Sequence, residues 1–357
     1  LKKGSPEEVS NYRPVSLLPV TSKILEEVVR SQVSTYFEKN GLLPHGQHGF
    51  RPGRSTTTAL LALQQRLVSA HENDDFTAML LFDLSAAFDT LDHDIFLHKL
   101  KIYGVDERGR RWFRSYLQGR EQLVEIGGQS SSKISVPWGC PQGAVCSPLI
   151  FAIFVADMPL SVEQSALFGF ADDTTTTTSR STLDEACRAA ADDAERLVGY
   201  MNDNYLVANA EKTKLLVFRP KHDDDTSVSI TIAGKKDSET CHEKLLGLQI
   251  SNDLSWGKQV QHVKSSMQAG ISMLRRLAYY IPRTYLKQLA HGLVLSKARY
   301  GLAVYGTVRM SASSPESGLM RPLEVSINDT MRVIEGRRRR DGVSIAALRE
   351  ATMIPSV

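Results

Sequence analysis

Two apolar runs in this chain end on aspartate, and few folds accommodate both endings. Phe76 to Phe82 is a short hydrophobic stretch that reads as a buried strand, with Asp83 at its carboxyl end. Ala166 to Ala171 reads as a second strand, Asp172-Asp173 as a tight turn, and Thr174 to Thr178 as the return strand, β-branched throughout. Two carboxylates at a hairpin tip between buried strands repel each other where water screens them poorly, and a divalent cation is the usual compensation. With both strands in one sheet, Asp83 and Asp172 face one another at its edge. Two such groups suit a pair of Mg²⁺ ions roughly 4 Å apart, the arrangement that polarises attacking and leaving oxygens in phosphoryl transfer. The plainer alternative is a pair of tip aspartates held by backbone N–H groups. A bare Asp-Asp pair decides nothing, because others occur at 74/75, at 192/193 and within 223–225. Asp192-Asp193 is expected on the solvated face of an amphipathic helix, and Asp223 to Asp225 in a solvated loop.

Around these strands, helices and strands mix without regular βαβ alternation. Pro19 to Phe37 has helical spacing and stops at Gly41 and Pro44. Gly46 to Thr58 is a Gly/Pro/Arg loop whose threonines can cap a helix at Ala59 to Ala70. Thr90 to Tyr103, Arg110 to Tyr116 and Ser147 to Met158 read as helices, the last one buried, and Leu123 to Gly128 opens a hairpin. Thr182-Leu183-Asp184-Glu185 is a capping box before a helix whose apolar positions include Ala186, Ala190, Ala194, Leu197 and Met201. Three further strands follow at Lys214 to Phe218, Val228 to Ile232 and Leu245 to Ile250. Gln259 to Tyr280 and Tyr285 to Tyr300 make a helical pair broken at Pro282. The class is α+β with an all-helical C-terminal quarter.

The 357 residues are 42% hydrophobic and 23% charged, which excludes bulk disorder and fibrous rods and allows about two domains. The longest apolar run, Leu149 to Ala156, is far short of the roughly 20 residues a bilayer needs. Cys140, Cys146, Cys187 and Cys241 form no CxxC pair, so reduced thiols are expected rather than a zinc ribbon or a disulfide framework. The first residue is Leu1 rather than Met and the chain stops abruptly at Val357, so it reads as a piece of a longer polypeptide. From Leu254 to Pro315 there are nine Lys/Arg and no Asp/Glu, a net +9 inside a chain whose total is +3, so the remainder carries −6. Helices with that bias suit a phosphate backbone. Tyr279, Tyr280 and Tyr300 interleave with the charge and are expected to pack in the core rather than to stack on bases. Arg337 to Arg340 reads either as a nuclear-localisation patch or as a nucleic-acid contact.

Five blocks, in order, give the chain a family likeness. Phe82-Asp83-Leu84-Ser85-Ala86-Ala87-Phe88-Asp89, the stretch from Gly139-Cys140-Pro141-Gln142-Gly143 to Ser147-Pro148-Leu149, and Phe170-Ala171-Asp172-Asp173 resemble three signature blocks of reverse transcriptases. Asn11-Tyr12-Arg13-Pro14-Val15-Ser16-Leu17-Leu18 and Gly49-Phe50-Arg51-Pro52-Gly53-Arg54-Ser55 match two blocks upstream. The pattern is closest to non-LTR retrotransposons, LINE-type and jockey-like. The resemblance implies a right-hand polymerase, with fingers and an antiparallel palm over 1–252, a helical thumb over 253–310 and a C-terminal tail over 311–357. It implies an RNA-directed DNA polymerase that extends a primer 3′-hydroxyl with dNTPs on an RNA template, using two Mg²⁺ ions, with Mn²⁺ as a substitute.

On this likeness Asp83, Asp172 and Asp173 are the metal ligands, Asp173 the less direct one. Phe88 falls at the steric gate that excludes a ribose 2′-hydroxyl. Gln142 and Gly143 lie against the incoming nucleotide, and Arg13, helped by Lys2 or Lys3, holds the triphosphate. Lys212 sits where the family has a lysine proposed to protonate pyrophosphate, with Lys214 as the competing choice. Arg51 and Arg54 fall in a template contact, Leu246 and Gly247 in the block that grips the primer end, and Lys264, Arg275 and Arg276 on the thumb's duplex-binding helices. Trp138, Cys140, Cys146 and Phe170 depart from the common pattern without removing a metal ligand. The likeness further implies an intracellular, membrane-free protein, cytoplasmic as a ribonucleoprotein and nuclear at the integration site. A nicking endonuclease would be another domain of the same polyprotein, outside this chain. The rival readings are an RNA-directed RNA polymerase and a catalytically silent RNA-binding remnant.

Overall fold

The computed structural model describes residues 5, 7–8, 12, 15–85, 87–208, 213–220, 227–306 and 318–356. Lys3, Arg13 and Lys212 lie outside the described residues. The chain divides into two compact units, residues 1–59 with 67–239, and residues 60–66 with 240–357.

The first unit is organised by one strand. β1 (Phe76–Ser85) is the centre of a five-stranded antiparallel sheet, with β2 (Ala166–Phe170) and β3 (Asp173–Arg180) in the order β2-β3-β1. Along its other edge β1 pairs with β4 (Val207–Ala208) and β5 (Lys214–Phe218). Pairing on both edges buries the strand, and the continuous apolar run from Phe76 supplies the side chains for both of its faces. Ala78, Leu80, Phe82 and Leu84 alternate onto one face and join Leu215 and Val217 of β5 in the main core. Five successive threonines, Thr174 to Thr178, are all buried on β3 between β2 and β1. Their branched Cβ atoms fit the crowded pleat, which is why a polar stretch serves as an inner strand.

α1 (Val20–Lys39) and α2 (Thr56–Glu72) precede β1; α3 (His93–Ile102), α4 (Glu107–Leu117) and α5 (Ser147–Phe154) follow it; α6 (Leu183–Asp203) leaves β3. Helices other than α2, whose residues 60–66 belong to the second unit, supply side chains to this core. Ser55 caps α2, accepting from the Thr58 amide, and Thr182 caps α6 in the same way from Glu185. Ala186, Ala190, Ala194, Leu197 and Met201 of α6 lie in the core at helical spacing, as expected. Lys99 of α3 is buried: its Nζ donates to the Phe154 carbonyl at 2.7 Å, to Asp157 Oδ1 at 2.7 Å and to the Tyr200 hydroxyl at 3.0 Å, tying α3, α5 and α6 together. Cys140 and Cys146 are buried and all four cysteines are free.

Asp193 corrects the sequence reading. Only 1% exposed, it accepts from the backbone N–H groups of Glu163, Gln164 and Ser165 at 2.7–3.0 Å and holds the loop that leads into β2. At i+3 from Ala190 and i−4 from Leu197 it lies on the buried face of α6, where the loop meets it.

In the second unit, β8 (His242–Leu245) and β9 (Leu248–Ser251) form a hairpin, following the pair β6 (Ser229–Ile232) and β7 (Lys235–Ser238) of the first unit. The single strand expected over Leu245 to Ile250 is broken at Leu246 and Gly247, whose φ values of 46° and 88° are the two positive angles of a type I′ turn. α7 (Gly257–Leu277) buries Val260, Val263, Met267, Ile271 and Leu274, and α8 (Arg283–Ala290) starts after Pro282 as expected. α9 (Arg321–Ile334) packs on α7 through Leu323, Ile327 and Met331, and α10 (Ile345–Thr352) packs on α9. The ranges expected as thumb and tail thus share one compact unit with the β8–β9 hairpin. Tyr279, Tyr280 and Tyr300 are exposed by 86%, 80% and 44%, contrary to the core role expected of them. Among the described residues no helix is long and apolar enough to cross a membrane.

For Asp193, burial opposes the charge, but the backbone hydrogen bonds outweigh it and its carboxyl titrates below the usual value. A depressed folded-state pKa contributes stability that is present above the unfolded value near 3.9 and is lost as pH falls through the folded value. Asp193→Asn is therefore expected to lower stability by about 1–3 kcal/mol at pH 7. Urea unfolding at pH 7 and at about pH 3 checks this: the gap between the two proteins should narrow in acid.

Candidate active site

The hairpin tip differs from the expected turn by one residue. Phe170 pairs with Asp173 across the tip, so the loop is Ala171-Asp172 and Asp173 opens β3. The same register sets Asp83 of β1 directly opposite Asp173. Directly opposed residues project to the same face of a sheet, with Cβ atoms about 4.5–5.5 Å apart. Since Phe82, paired with Thr174, faces the core, Asp83 and Asp173 share the opposite face. Asp172 stands next to them in the loop. The structure brings the three carboxylates to one sheet end, with Asp173 rather than Asp172 as the cross-strand partner of Asp83.

Like charge crowds there. Although Asp173 is itself exposed, the protein around its carboxyl disfavours the ionised form most, and repulsion from Asp172 and then Asp83 adds to this, pushing the group up to about 6. All the donors are hard carboxylate oxygens, the chemistry Mg²⁺ takes, and this ion is usually held by one or two carboxylates with waters and substrate phosphates. Asp83, Asp172 and Asp173 are the carboxylates that would supply that share. Among the described residues, no three His, Cys, Asp or Glu side chains form a ready-made metal cage.

Backbone contacts hold the tip in place. The segment Gly46–Phe50 runs along the outer edge of β2: the His48 amide donates to the Gly169 carbonyl at 2.8 Å, and the Gly169 amide to the Gly46 carbonyl at 2.9 Å. A Cβ on Gly49 would stand 2.3 Å from the Ala171 nitrogen, so only glycine permits this approach. Arg51 anchors the segment. Its guanidinium grips Glu38 of α1 in a fork at 2.7 and 2.8 Å and donates to the carbonyls of Pro44 and Gln47. With its side chain 8% exposed, Arg51 is committed inside the fold, which corrects its expected place in a template contact. Arg54 donates to the His45 carbonyl and is only half-buried.

Phe88 is half-buried, its ring 6.2 Å from that of Phe50 and 4.8 Å from that of Phe151. The loop Gly139–Gly143 is stitched to the same turn. The Cys140 amide donates to the Phe88 carbonyl and the Gly139 amide to that of Leu91, while His93 Nε2 lies 2.7 Å from the Gly139 carbonyl oxygen. Gly139, at φ 76°, would place a Cβ 2.7 Å from the Phe88 carbonyl oxygen, so glycine is required twice over. Gln142 donates to both carboxylate oxygens of Asp89, at 2.8 and 2.9 Å, and its carbonyl accepts from Ser16. Gly143 is exposed beside Val15 and Ser16.

These contacts decide the grouping of the motifs. The Gly49 segment touches the hairpin tip, Phe88 meets Phe50 at the end of that segment, and Gln142 is held by Asp89, next to Phe88 in the chain. The family described as reverse transcriptase (RNA-dependent DNA polymerase) matches residues 1–251. The chain belongs to the reverse transcriptase family. It is 27% identical over 296 residues to the probable RNA-directed DNA polymerase from transposon BS of Drosophila melanogaster, covering 79% of this chain and 32% of that protein. It is 26% identical over 326 residues to the RNA-directed DNA polymerase from mobile element jockey of the same fly, covering 86% and 34%. The jockey-like relationship expected from the motifs is borne out, and the chain spans about a third of the length of these curated relatives. A solved telomerase from Candida albicans, in complex with a fragment of telomeric RNA, has the same fold at a TM-score of 0.50 and 11% identity, over 95% of this chain and 59% of that one.

Within this reverse transcriptase site, three residues went unnoticed in the sequence. Asp89 orients Gln142, and His93 meets Gly139. Glu26 of α1, 1% exposed, accepts from the amides of Val145 and Cys146 at 2.7 and 3.1 Å and caps the start of α5. Asp89 stood inside a quoted motif and could have been found there; Glu26 lies in a charged helix with no local signal. Leu246 and Gly247 belong to the second unit, where the Tyr300 hydroxyl donates to the Leu246 carbonyl at 2.6 Å.

Gly49→Ala is expected to destabilise the first unit by about 1–3 kcal/mol, because the added methyl meets backbone and the hairpin tip must shift. Gly199→Ala, with open space at its Cβ in the middle of α6, should be neutral or stabilising. Thermal unfolding of both variants checks the contrast.

Proposed function

We propose that this chain is the polymerase core of a non-LTR retrotransposon, extending a primer 3′-hydroxyl with dNTPs on an RNA template. The observation that carries this reading is the pairing of Asp83 with Asp173 across β1 and β3, with Asp172 in the loop beside them. Asp83 and Asp172, supported by Asp173, would hold two Mg²⁺ ions, with Mn²⁺ as a substitute. Ions held there would supply positive charge for the attacking oxygen and for the leaving pyrophosphate.

The protein's own groups prepare that step. Phe88, wedged by Phe50 and Phe151, presents a rigid ring where a ribose 2′-hydroxyl would collide. Gln142, held by Asp89, and the exposed backbone at Gly143 would lie against the incoming nucleotide. From the motif alone, Arg13 with Lys3 is assigned to the triphosphate and Lys212 to protonation of pyrophosphate. Lys264, Arg275 and Arg276 on α7 would meet the phosphate backbone of template and primer, and Leu246-Gly247 the primer end. Residues 1–252 would act as fingers and palm, 253–310 as thumb, with 311–357 following. Cleavage of the DNA target would fall to an endonuclease domain of the same polyprotein, and the protein would be cytoplasmic as a ribonucleoprotein and nuclear at the integration site.

Primer extension on an RNA template with Mg²⁺ tests the reading. Incorporation of dNTPs but not rNTPs is expected, and Asp83→Ala or Asp172→Ala should reduce it by about 10³-fold or more, as loss of several kcal/mol of charge stabilisation requires. Phe88→Ala should cut discrimination against rNTPs by about tenfold, because the clash is removed. Preferential use of rNTPs by the unaltered protein would point to an RNA polymerase instead. Absence of extension with retained RNA binding would point to a silent remnant.

A further inference from the structure

The second unit holds a cleft of about 580 Å³ between α7 and α9, whose charged lining is four cations and one acid. Lys264 and Arg275 of α7 face Arg321 of α9 and Arg339, with Gln268 between them. The acid in the lining, Asp329, is already engaged by Arg332 and in a fork by Arg339, which leaves the cleft net positive. Lys264, Gln268, Ile271 and Arg275 follow one another on α7 at i, i+4, i+7 and i+11, and Tyr279 and Tyr280 come in the turn just after the helix ends at Leu277. The cationic face of α7 thus runs along about 20 Å of helix toward its C-terminal end, and just past that end are Tyr279 and Tyr280, whose rings lie 5.1 Å apart at 82° and stand almost wholly in solvent. Arg275 and Arg276, one turn earlier, lie next to them.

We propose that this surface binds single-stranded RNA, its backbone in the α7–α9 cleft and its bases stacked on Tyr279 and Tyr280. The cleft's charge matches a polyphosphate chain, and a phosphate backbone needs no sequence to enter it. The tyrosines add what a duplex cannot use. Paired bases have both faces covered by their neighbours, whereas unpaired ones offer a π-face to an exposed ring. A protein partner is disfavoured because the stretch around the rings carries cations and no acid. RNA is favoured over DNA by the polymerase reading above, on which this part of the proposal rests. DNA is paired with template as it is made, and the template is the long strand that stays single over a distance. Arg321 and Arg339, outside the residues assigned to the duplex, acquire a role here.

The test measures binding of fluorescent single-stranded RNA, single-stranded DNA and an RNA–DNA duplex to the whole chain. The variants are Tyr279→Ala/Tyr280→Ala, Tyr279→Phe/Tyr280→Phe and Arg321→Ala. The double alanine variant should lose about tenfold or more in affinity for single-stranded RNA, with the phenylalanine pair within about twofold of wild type. Duplex affinity should be unchanged. Arg321→Ala should lower the slope of log affinity against log salt by about 0.7 on RNA. Thermal unfolding should be unaltered in the tyrosine variants, because the rings are exposed. Unchanged RNA affinity, an equal loss on duplex, or a loss confined to single-stranded DNA would overturn the proposal. Because binding is read without nucleotides, a chain that fails to polymerise still gives an answer here, so the two readings fail separately.

Discussion

The first unit depends on the register between β1 and β3. Side chains on a strand alternate faces, so a slip of one residue would turn Asp83 into the core and Phe82 out of it. The apolar series Ala78, Leu80, Phe82 and Leu84 sets the energetic penalty for that slip, since each would leave the core. The carboxylates are therefore placed by hydrophobic residues that never touch a substrate. The same strand feels β4 and β5 on its far edge, which removes the freedom an edge strand would have.

Buried charge is used throughout this unit to hold loops. Glu26 binds the amides entering α5, Asp193 those entering β2, and Arg51 the carbonyls beneath the tip. Each ion sits against backbone groups that would otherwise be unsatisfied, so its desolvation is compensated by charge-assisted hydrogen bonds. Each also fixes a segment that carries a motif: the Gly139–Gly143 loop, the strand into the Asp172 tip, and the Gly46–Phe50 edge. Precision at the site is thus supplied by residues one layer behind it.

Local pattern exposed most of this architecture. The strand that opens at Phe76, the β-branched return strand, the Thr182 cap and the break at Pro282 are all consequences of short-range chemistry and stand where the sequence places them. β1 itself runs two residues past Asp83, because Leu84 and Ser85 pair with β4. What failed depended on distant partners. Arg51 looked like a free loop cation because Glu38 is separated from it by a turn whose path is not written locally. Asp193 looked solvated because it is a charged residue beside Asp192, although its spacing from Ala190 and Leu197 puts it on the buried face. Only the distant loop at Glu163–Ser165 supplies the donors that make an acid tolerable there. The hairpin tip was misplaced by one residue because Ala171 adopts φ 58°, a left-handed conformation that a residue with a Cβ rarely takes and that composition alone would assign to the aspartates. The tyrosines erred in the opposite direction, since an aromatic residue in a helical pattern is normally buried and these two stand at a helix end with nothing packed over them.

The charge of the chain separates the two kinds of work it would do. The carboxylate face repels a triphosphate until a cation intervenes, so nucleotide binding there would be conditional on metal. The stretch from 254 to 315, with nine cations and no acid in its sequence, attracts a polyanion without such mediation. A single net charge of +3 conceals this division. An enzyme that must hold a long polymer through many cycles, yet admit each monomer only when its ions are in place, needs both signs, and it needs them on different surfaces. The acidic sheet end of the first unit and the cationic cleft of the second meet that requirement, because neither surface could do the work of the other without losing its own.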